Sequence, residues 1–267
     1  MKKSEKVGLP VENLRMSRLE RKVLSLFEGL GLPVQGRVLE LAPGRGALSA
    51  ALVRPGLEVD ALDIHPEHFD PGCGARILQG DLDEPLPFRD ETYDLVICCE
   101  GIEHLEHQYG FARELARVLK TGGRLILTTP NIANIASRLR FLLTGFFALA
   151  VRPSSEFEHD RTIEHIYPLT FWQLRHILHT NGLLIERIAT DHIRKSCLPL
   201  AVLYPLSYLL TLKALATERE PRQRRANFQI ASQMHSAALF FGRTQIIVAR
   251  KEVPTYQAQL LSQNQPG

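Results

Sequence analysis

Cys99-Glu100-Gly101-Ile102-Glu103-His104 places two carboxylates and an imidazole directly after the apolar run Tyr93 to Cys98. Such a run reads as a buried strand, so these groups stand at its tip, where doubly wound sheets bind ligands. An imidazole there can take a proton from a hydroxyl. Carboxylates and imidazoles together can also share a divalent cation. The second stretch with chemical content is Arg37-Val-Leu-Glu-Leu-Ala-Pro-Gly-Arg-Gly46. A short strand carrying Glu40 breaks into a turn containing Gly44 and Gly46, and a helix opens at Ala47. Glycine has no side chain to obstruct a ligand, so backbone can approach one closely. A further run, Glu58-Val-Asp-Ala-Leu-Asp63, ends in another acid. A strand, a glycine turn, a helix and an acid at the next strand tip together hold a nucleoside, the acid accepting from ribose hydroxyls.

Two adenosine cofactors compete for such a turn. A dinucleotide site wants G-x-G-x-x-G with a helix N-terminus facing the pyrophosphate. Gly44-Arg-Gly46-Ala-Leu-Ser49 nearly satisfies it, which keeps an NAD-dependent oxidoreductase open as the alternative. S-adenosylmethionine (SAM) carries no phosphate and needs a place for an ammonium. Glu40 suits a cation and would repel a pyrophosphate. Asp81, in Gly80-Asp81-Leu82, can accept from an adenine amine while Leu82 packs on the ring. Both features favour SAM.

At this point residues 37 to 131 resemble a class I SAM-dependent methyltransferase. The resemblance runs through Glu40-Leu-Ala-Pro-Gly-Arg-Gly46, Asp63, Gly80-Asp81-Leu82 and Phe88-Arg-Asp-Glu-Thr-Tyr-Asp-Leu-Val-Ile-Cys98. It continues through Glu103-His104-Leu105, Leu115-Ala-Arg-Val-Leu-Lys-Thr-Gly-Gly123 and Leu125-Ile-Leu-Thr-Thr-Pro-Asn131. The family's first motif is acid-x-Gly-x-Gly-x-Gly, and Ala42 replaces its first glycine here, adding a methyl that would tighten the methionine pocket. The resemblance implies a Rossmann-like α/β fold: a doubly wound, mostly parallel seven-stranded sheet with the last strand antiparallel. It also implies that Glu40, Ala42, Gly44, Gly46, Asp63, Asp81, Leu82 and Glu100 hold SAM.

Composition sets outer limits. The 267 residues suit one domain with additions. With 45% hydrophobic and 23% charged residues the chain can bury a core and is not of disordered type. A net charge of +3 is too weak to imply a nucleic-acid partner by itself. Cys73, Cys98, Cys99 and Cys197 have neither metal-type nor disulfide-framework spacing, and the adjacent pair should face opposite sides of one strand. The opening Met-Lys-Lys-Ser-Glu-Lys-Val has no apolar stretch behind it, so the expectation is cytoplasmic, possible attachment to the inner membrane face aside.

The pattern organises into a helical segment over 1–36, a methyltransferase domain over 37–252 and a polar tail over 253–267. An amphipathic helix is expected from Leu14 to Leu30. Strands are expected at 37–41, 58–63, 75–79, 93–99 and 124–129, with a helix from Tyr109 to Lys120 closed by Gly122-Gly123. Thr170 should cap a helix through His179, with Leu183–Ala189 and Arg243–Ala249 as the last strands. Residues 131–169 form the acceptor-side segment and 193–240 a helical insertion, longer than a loop needs. Within the insertion, Cys197 to Leu212 contains no charge, yet it falls short of a span and carries Pro199 and Pro205. Arg219-Glu-Pro-Arg-Gln-Arg-Arg225 follows. An apolar segment beside a basic cluster is what a protein lying on an anionic bilayer shows, so 197–225 is a candidate membrane-surface element, with Phe141–Val151 adjoining. The competing expectation is helices packed over the acceptor pocket or against another copy.

Methyl transfer from a sulfonium is a direct displacement that the protein serves mainly by alignment. Glu103 and His104 are the expected catalytic groups. Glu-x-x-Glu-His is similar to the divalent-metal motif of ubiquinone-biosynthesis O-methyltransferases and small-RNA 2′-O-methyltransferases. That resemblance implies a metal set of Glu100, Glu103, His104 and His165, holding Mg²⁺. Asn131 stands beside the same crevice, and His159, Asp160 and Arg161 fall where the family builds its acceptor pocket. Segments 130–145 and 164–178 resemble bacterial methyltransferases of surface-glycan assembly. The reading is therefore O-methylation of a small-molecule, glycan or lipid-linked acceptor; a non-catalytic SAM-binding protein is a further alternative.

Overall fold

The computed structural model describes residues 14–31, 35–148 and 167–252. The helix α1 (Arg18–Glu28) begins later than its apolar pattern suggests, because the Ser17 hydroxyl accepts from the Glu20 amide and Glu20 reaches back to the Ser17 amide. This reciprocal cap satisfies two otherwise unpaired donors and sets the helix start. Leu14 and Arg15 therefore precede the helix rather than belong to it. The strands are β1 (Gly36–Leu41), β2 (Leu57–Asp63), β3 (Arg76–Gln79), β4 (Tyr93–Cys99), β5 (Leu119–Pro130), β6 (Leu183–Ala189) and β7 (Thr244–Lys251). They form one seven-stranded sheet in the order β3-β2-β1-β4-β5-β7-β6. The first five run parallel, while β7 is antiparallel to both β5 and β6.

Alternate residues of each strand feed two cores, as a two-residue side-chain period requires. Leu39, Leu41, Val96, Cys98, Leu125, Leu127 and Ile247 enter a core beneath α3 (Gln108–Val118) and α5 (Phe171–Thr180). Val38, Leu95, Ile97, Ile126 and Val248 face the other way, against α1 and α2 (Ala47–Leu52). Leu19, Val23, Leu26 and Phe27 make α1 part of that second core. Burying each such side chain contributes about 1.5–3 kcal/mol. Cys98 and Cys99 do point to opposite faces, the first inside one core and the second against the other.

Gly122-Gly123 does not close α3. That helix ends at Val118, and Leu119 pairs with Tyr93 at once. The register then slips before Leu95 pairs with Arg124, so both glycines lie in the irregular start of β5. Gly122 has φ +81, and a Cβ on Gly123 would stand 2.8 Å from the Lys120 carbonyl oxygen. Glycine is required here by a strand irregularity, not by a helix end.

The insertion between β6 and β7 is helical: a 3₁₀ run Lys195–Leu203, then α6 (Tyr204–Leu215), α7 (Pro221–Met234) and α8 (Ala237–Phe241). Another helix, α4 (Ile135–Thr144), follows β5 directly, N-capped by Asn134. Pro130, the last residue of β5, pairs with Thr244, the first of β7. Hence the insertion leaves β6 and re-enters β7 at the end of the sheet where the parallel strands finish. Binding crevices of such sheets open there.

Candidate functional site

The tips of β1, β2 and β4 surround a cavity of about 510 Å³. Ala42, Gly44, Asp63, Asp81, Leu82 and Glu100 line it, as does His104. A second cavity of about 370 Å³ shares Ala42, Gly44 and Glu100 with the first and adds Ser17, Glu20 and Glu40. Together they form one crevice roofed at one end by the start of α1.

Each lining group has a local reason for its place. Asp63 ends β2; its Oδ1 accepts from the His65 amide at 2.8 Å and its Oδ2 from the Gly44 amide at 3.4 Å. The acid is thus braced against the glycine turn that it faces. Gly44 has φ +55, with no heavy atom within 4 Å of where a Cβ would stand, so it leaves backbone bare to the crevice. Gly46 plays a different part. Its missing Cβ makes room for the Phe69 ring, which would otherwise lie 2.6 Å away, and it lines neither cavity. Its missing side chain thus serves packing, between Arg45 and Ala47 on the wall of the smaller cavity. Ala42 adopts φ +53, a left-handed conformation that an L-residue with a Cβ enters at a cost. The glycine expected there by resemblance is therefore replaced by a residue held under strain.

Glu40 is buried and accepts from the Ser49 hydroxyl, a residue of α2. Burial raises its pKa from an ordinary 4.5 to about 8; the Ser49 bond opposes the rise and Glu20 adds to it. Desolvation disfavours the charged form, so a neutral carboxyl waits beside the second cavity. Asp81 accepts from the Asp83 amide at 3.0 Å, closing the turn after β3. Asp83 in turn accepts from the His107 amide at 2.8 Å, tying this turn to the segment after β4.

Glu100 also has a left-handed backbone, φ +50. Its amide donates to the carbonyl and hydroxyl oxygens of buried Thr128 at 3.1 and 3.0 Å, which holds that conformation at the strand tip. The 3₁₀ turn Ile102–His104 follows, with the His104 amide bonded to the Gly101 carbonyl at 3.1 Å. Glu103 departs from expectation. It is fully buried, lines neither cavity, and neither carboxyl oxygen has a hydrogen-bond partner among the described residues. Burial raises its pKa to about 8, and Glu100 adds to the rise. Burial thus favours its neutral form, and its carboxyl is enclosed rather than on the cavity wall.

Of the implied metal set, the described members Glu100, Glu103 and His104 do not face one common point. Among the described residues no three His, Cys, Asp or Glu stand where they could share an ion. Glu103 is buried away from the crevice that Glu100 and His104 line, and His165 lies outside the described residues, as do His159, Asp160 and Arg161. No step is routed through a metal here. Asn131 is spent on structure: its amide nitrogen donates to the carbonyls of Leu239 at 2.7 Å and Gly242 at 3.0 Å, anchoring α8 to β5.

Two groups escaped the sequence reading. His65 and His68 line the larger cavity just past the tip of β2, where only the acid had drawn notice. Arg243 opens the crevice's other rim, its Nη1 3.9 Å from Glu100 and 4.0 Å from Asp191. Burial pushes Asp191 up, but its bond to His192 at 2.7 Å outweighs this and holds its pKa below the ordinary value. The antiparallel meeting of β6 and β7 assembles this cluster, and no local spacing announces it.

Residues 39–127 match the family model of a methyltransferase domain. The chain is 27% identical over 135 residues to the ubiquinone biosynthesis O-methyltransferase of Aliivibrio fischeri, covering 48% of this chain and 57% of that protein. It is 26% identical over 162 residues to the Vibrio vulnificus enzyme of the same name, covering 58% and 67%. It thus spans a little over half the length of the first of these relatives. A solved SAM-dependent methyltransferase from Archaeoglobus fulgidus superposes with TM-score 0.56 at 19% identity, covering 90% of this chain and 97% of that one. One from Mesorhizobium loti gives 0.52 at 15%, covering 89% and 100%. The solved structures agree on the fold, and the family match spans the glycine turn and the tips of β1, β2 and β4.

Proposed function

We propose that this chain, a class I SAM-dependent methyltransferase, methylates an oxygen of a small-molecule, glycan or lipid-linked acceptor. The supporting observation is the single cavity into which Ala42, Gly44, Asp63, Asp81, Leu82 and His104 all open. The fit to the cofactor rests on its parts: a bare backbone turn, an acid at the β2 tip, an acid-apolar pair after β3, and a buried neutral carboxyl able to ionise against a cation. When bound, SAM supplies an activated methyl group on a sulfonium. Asp63 would accept from the ribose hydroxyls, and Asp81 and Leu82 would hold the adenine by its amine and its face. Glu40 would take the methionine ammonium. His104, at the β4 end of the cavity, would accept the acceptor's hydroxyl proton as the new carbon–oxygen bond forms. The ubiquinone-type relatives, named O-methyltransferases, favour oxygen as the nucleophile.

The test is calorimetry with SAM followed by transfer of a labelled methyl to a lysate separated into lipid, glycan, RNA and small-molecule fractions. The expected result is micromolar binding and label outside the RNA fraction, with transfer lost and binding retained in His104→Ala. Label confined to RNA overturns the acceptor reading. Binding without any transfer favours a non-catalytic SAM-binding protein.

A further inference from the structure

Lys195–Leu215 is a continuous helical stretch of 21 residues, long and apolar enough by length and composition to cross a bilayer. The uncharged run Cys197–Leu212 is shorter than this stretch, and two prolines fall inside it. Pro199 lies in the 3₁₀ run and Pro205 in the first turn of α6, where an amide would lack a partner anyway. None of its apolar window is buried. Val202 is 78% exposed, and Leu206, Leu209 and Leu210 each more than half exposed. The adjoining α4 ends in Leu142 and Leu143, 78% and 73% exposed. The two apolar surfaces adjoin because Ile135 of α4, Cys197 and Phe240 share one small buried cluster.

Crossing is disfavoured by what holds the inner side of the stretch. Tyr204 packs edge-on against Phe240 at 5.1 Å and His235 at 5.7 Å. Ser207 accepts from Arg138 at 3.2 Å and bonds His235 at 3.1 Å. A span would either forfeit these contacts or carry Arg138 into hydrocarbon with it. A helix fastened along one side and apolar along the other lies in an interface plane. Charge agrees with this. Between Lys213 and Arg225 the chain carries Lys213, Arg219, Arg222, Arg224 and Arg225 against Glu218 and Glu220, and all four arginines are exposed. Glu220 is engaged in capping α7. Finally, the insertion leaves and rejoins the sheet at the end where the parallel strands finish.

We infer that α4 and the Lys195–Leu215 stretch form a docking face for an anionic bilayer surface, with their exposed leucines in the headgroup–acyl boundary and the α7 arginines on lipid phosphates. The inference does not require the acceptor reading, since binding to lipid is measured without turnover. The experiment is vesicle flotation of the full chain with phosphatidylcholine alone and with an equal mixture containing phosphatidylglycerol. The wild type should float with the anionic vesicles. Floated protein should fall roughly tenfold or more in Leu206→Ser/Leu210→Ser, and similarly in Arg222→Glu/Arg225→Glu or in high salt. SAM affinity, read in parallel, should be unchanged in every variant, which reports an intact fold. A wild type that stays at the bottom with anionic vesicles overturns the inference. So does flotation indifferent to both pairs of substitutions. If the leucine pair instead converts a dimer to a monomer in sedimentation while lipid binding is absent, the face belongs to a second copy and the inference fails.

Discussion

Glu40 makes a quantitative prediction, because a buried neutral acid must lose its proton to face a cation. With a pKa near 8 in the unliganded protein, about 0.9 of the molecules carry that proton at pH 7 and about 0.1 at pH 9. If the methionine ammonium binds the ionised form, each SAM bound should release about 0.8 proton at pH 7, net of the small uptake by the ligand's own α-amino group. Affinity should correspondingly tighten about eightfold between pH 6 and pH 7, and fall again above pH 8 as that amine loses its proton. The sign for stability runs the other way. Folding raises this acid's pKa from 4.5 to about 8, so its contribution is fully present below pH 4.5 and is lost as pH rises through 8. The unliganded protein should therefore lose stability across that window, and saturating SAM should remove the loss. The assay is titration calorimetry at each pH in two buffers of different ionisation enthalpy, which yields protons released directly. Glu103 has a similar pKa, so Glu40→Gln is the needed control and should abolish the release while leaving other proton traffic. Release below about 0.2 proton at pH 7, or equal release in the variant, would refute the reasoning.

The remaining predictions concern the turn and the strand tips. Ala42→Gly relieves the left-handed strain at φ +53 and should raise the melting temperature by about 2–4 °C, read by calorimetry. Gly46→Ala places a methyl 2.6 Å from the Phe69 ring, so it should lower the melting temperature by several degrees. Any loss of SAM binding should be recovered by cooling, since the site itself is not touched. Asp63→Ala removes an acceptor for ribose and a brace for Gly44; SAM affinity should drop about 10–100-fold by calorimetry, with little change in melting temperature.

Much of the sheet was legible because its strands are apolar on both faces, and such runs leave few alternatives once helices alternate with them. The runs at β1, β2, β3 and β4 emerge within a residue of their expected bounds. What escaped notice depended on distant partners. Gly122-Gly123 resembles a helix stop, but the strand that uses it lies across the ladder at Tyr93 and Asp94. Gly46 resembles a ligand glycine, yet the ring it accommodates arrives from Phe69, after the next strand. Glu103 carries a catalytic acid's composition, and only three-dimensional burial reveals that it is enclosed. Arg243 and Asp191 flank an insertion of about fifty residues and meet only because the sheet edge is antiparallel.

Burial also sorts the acids of the crevice by task, and this bears on which ligand the fold selects. Asp63 and Asp81 stand half-exposed around the larger cavity, where they can accept hydrogen bonds from a nucleoside in contact with water. Glu40 stands buried against the smaller one and stays uncharged until something compensates its ionisation. A phosphate brings no compensation for ionising Glu40, and it would meet the Glu100 carboxylate with charge of the same sign. A cation brings it in full, converting a costly buried carboxylate into one half of an ion pair. On the proposed assignment, the same glycine turn that would admit a dinucleotide would be set, by one acid bonded to Ser49, to favour a positively charged adenosine ligand. With Glu40 proposed to take the ammonium, selectivity for the cofactor would lie less in the glycines than in the desolvated proton beneath them.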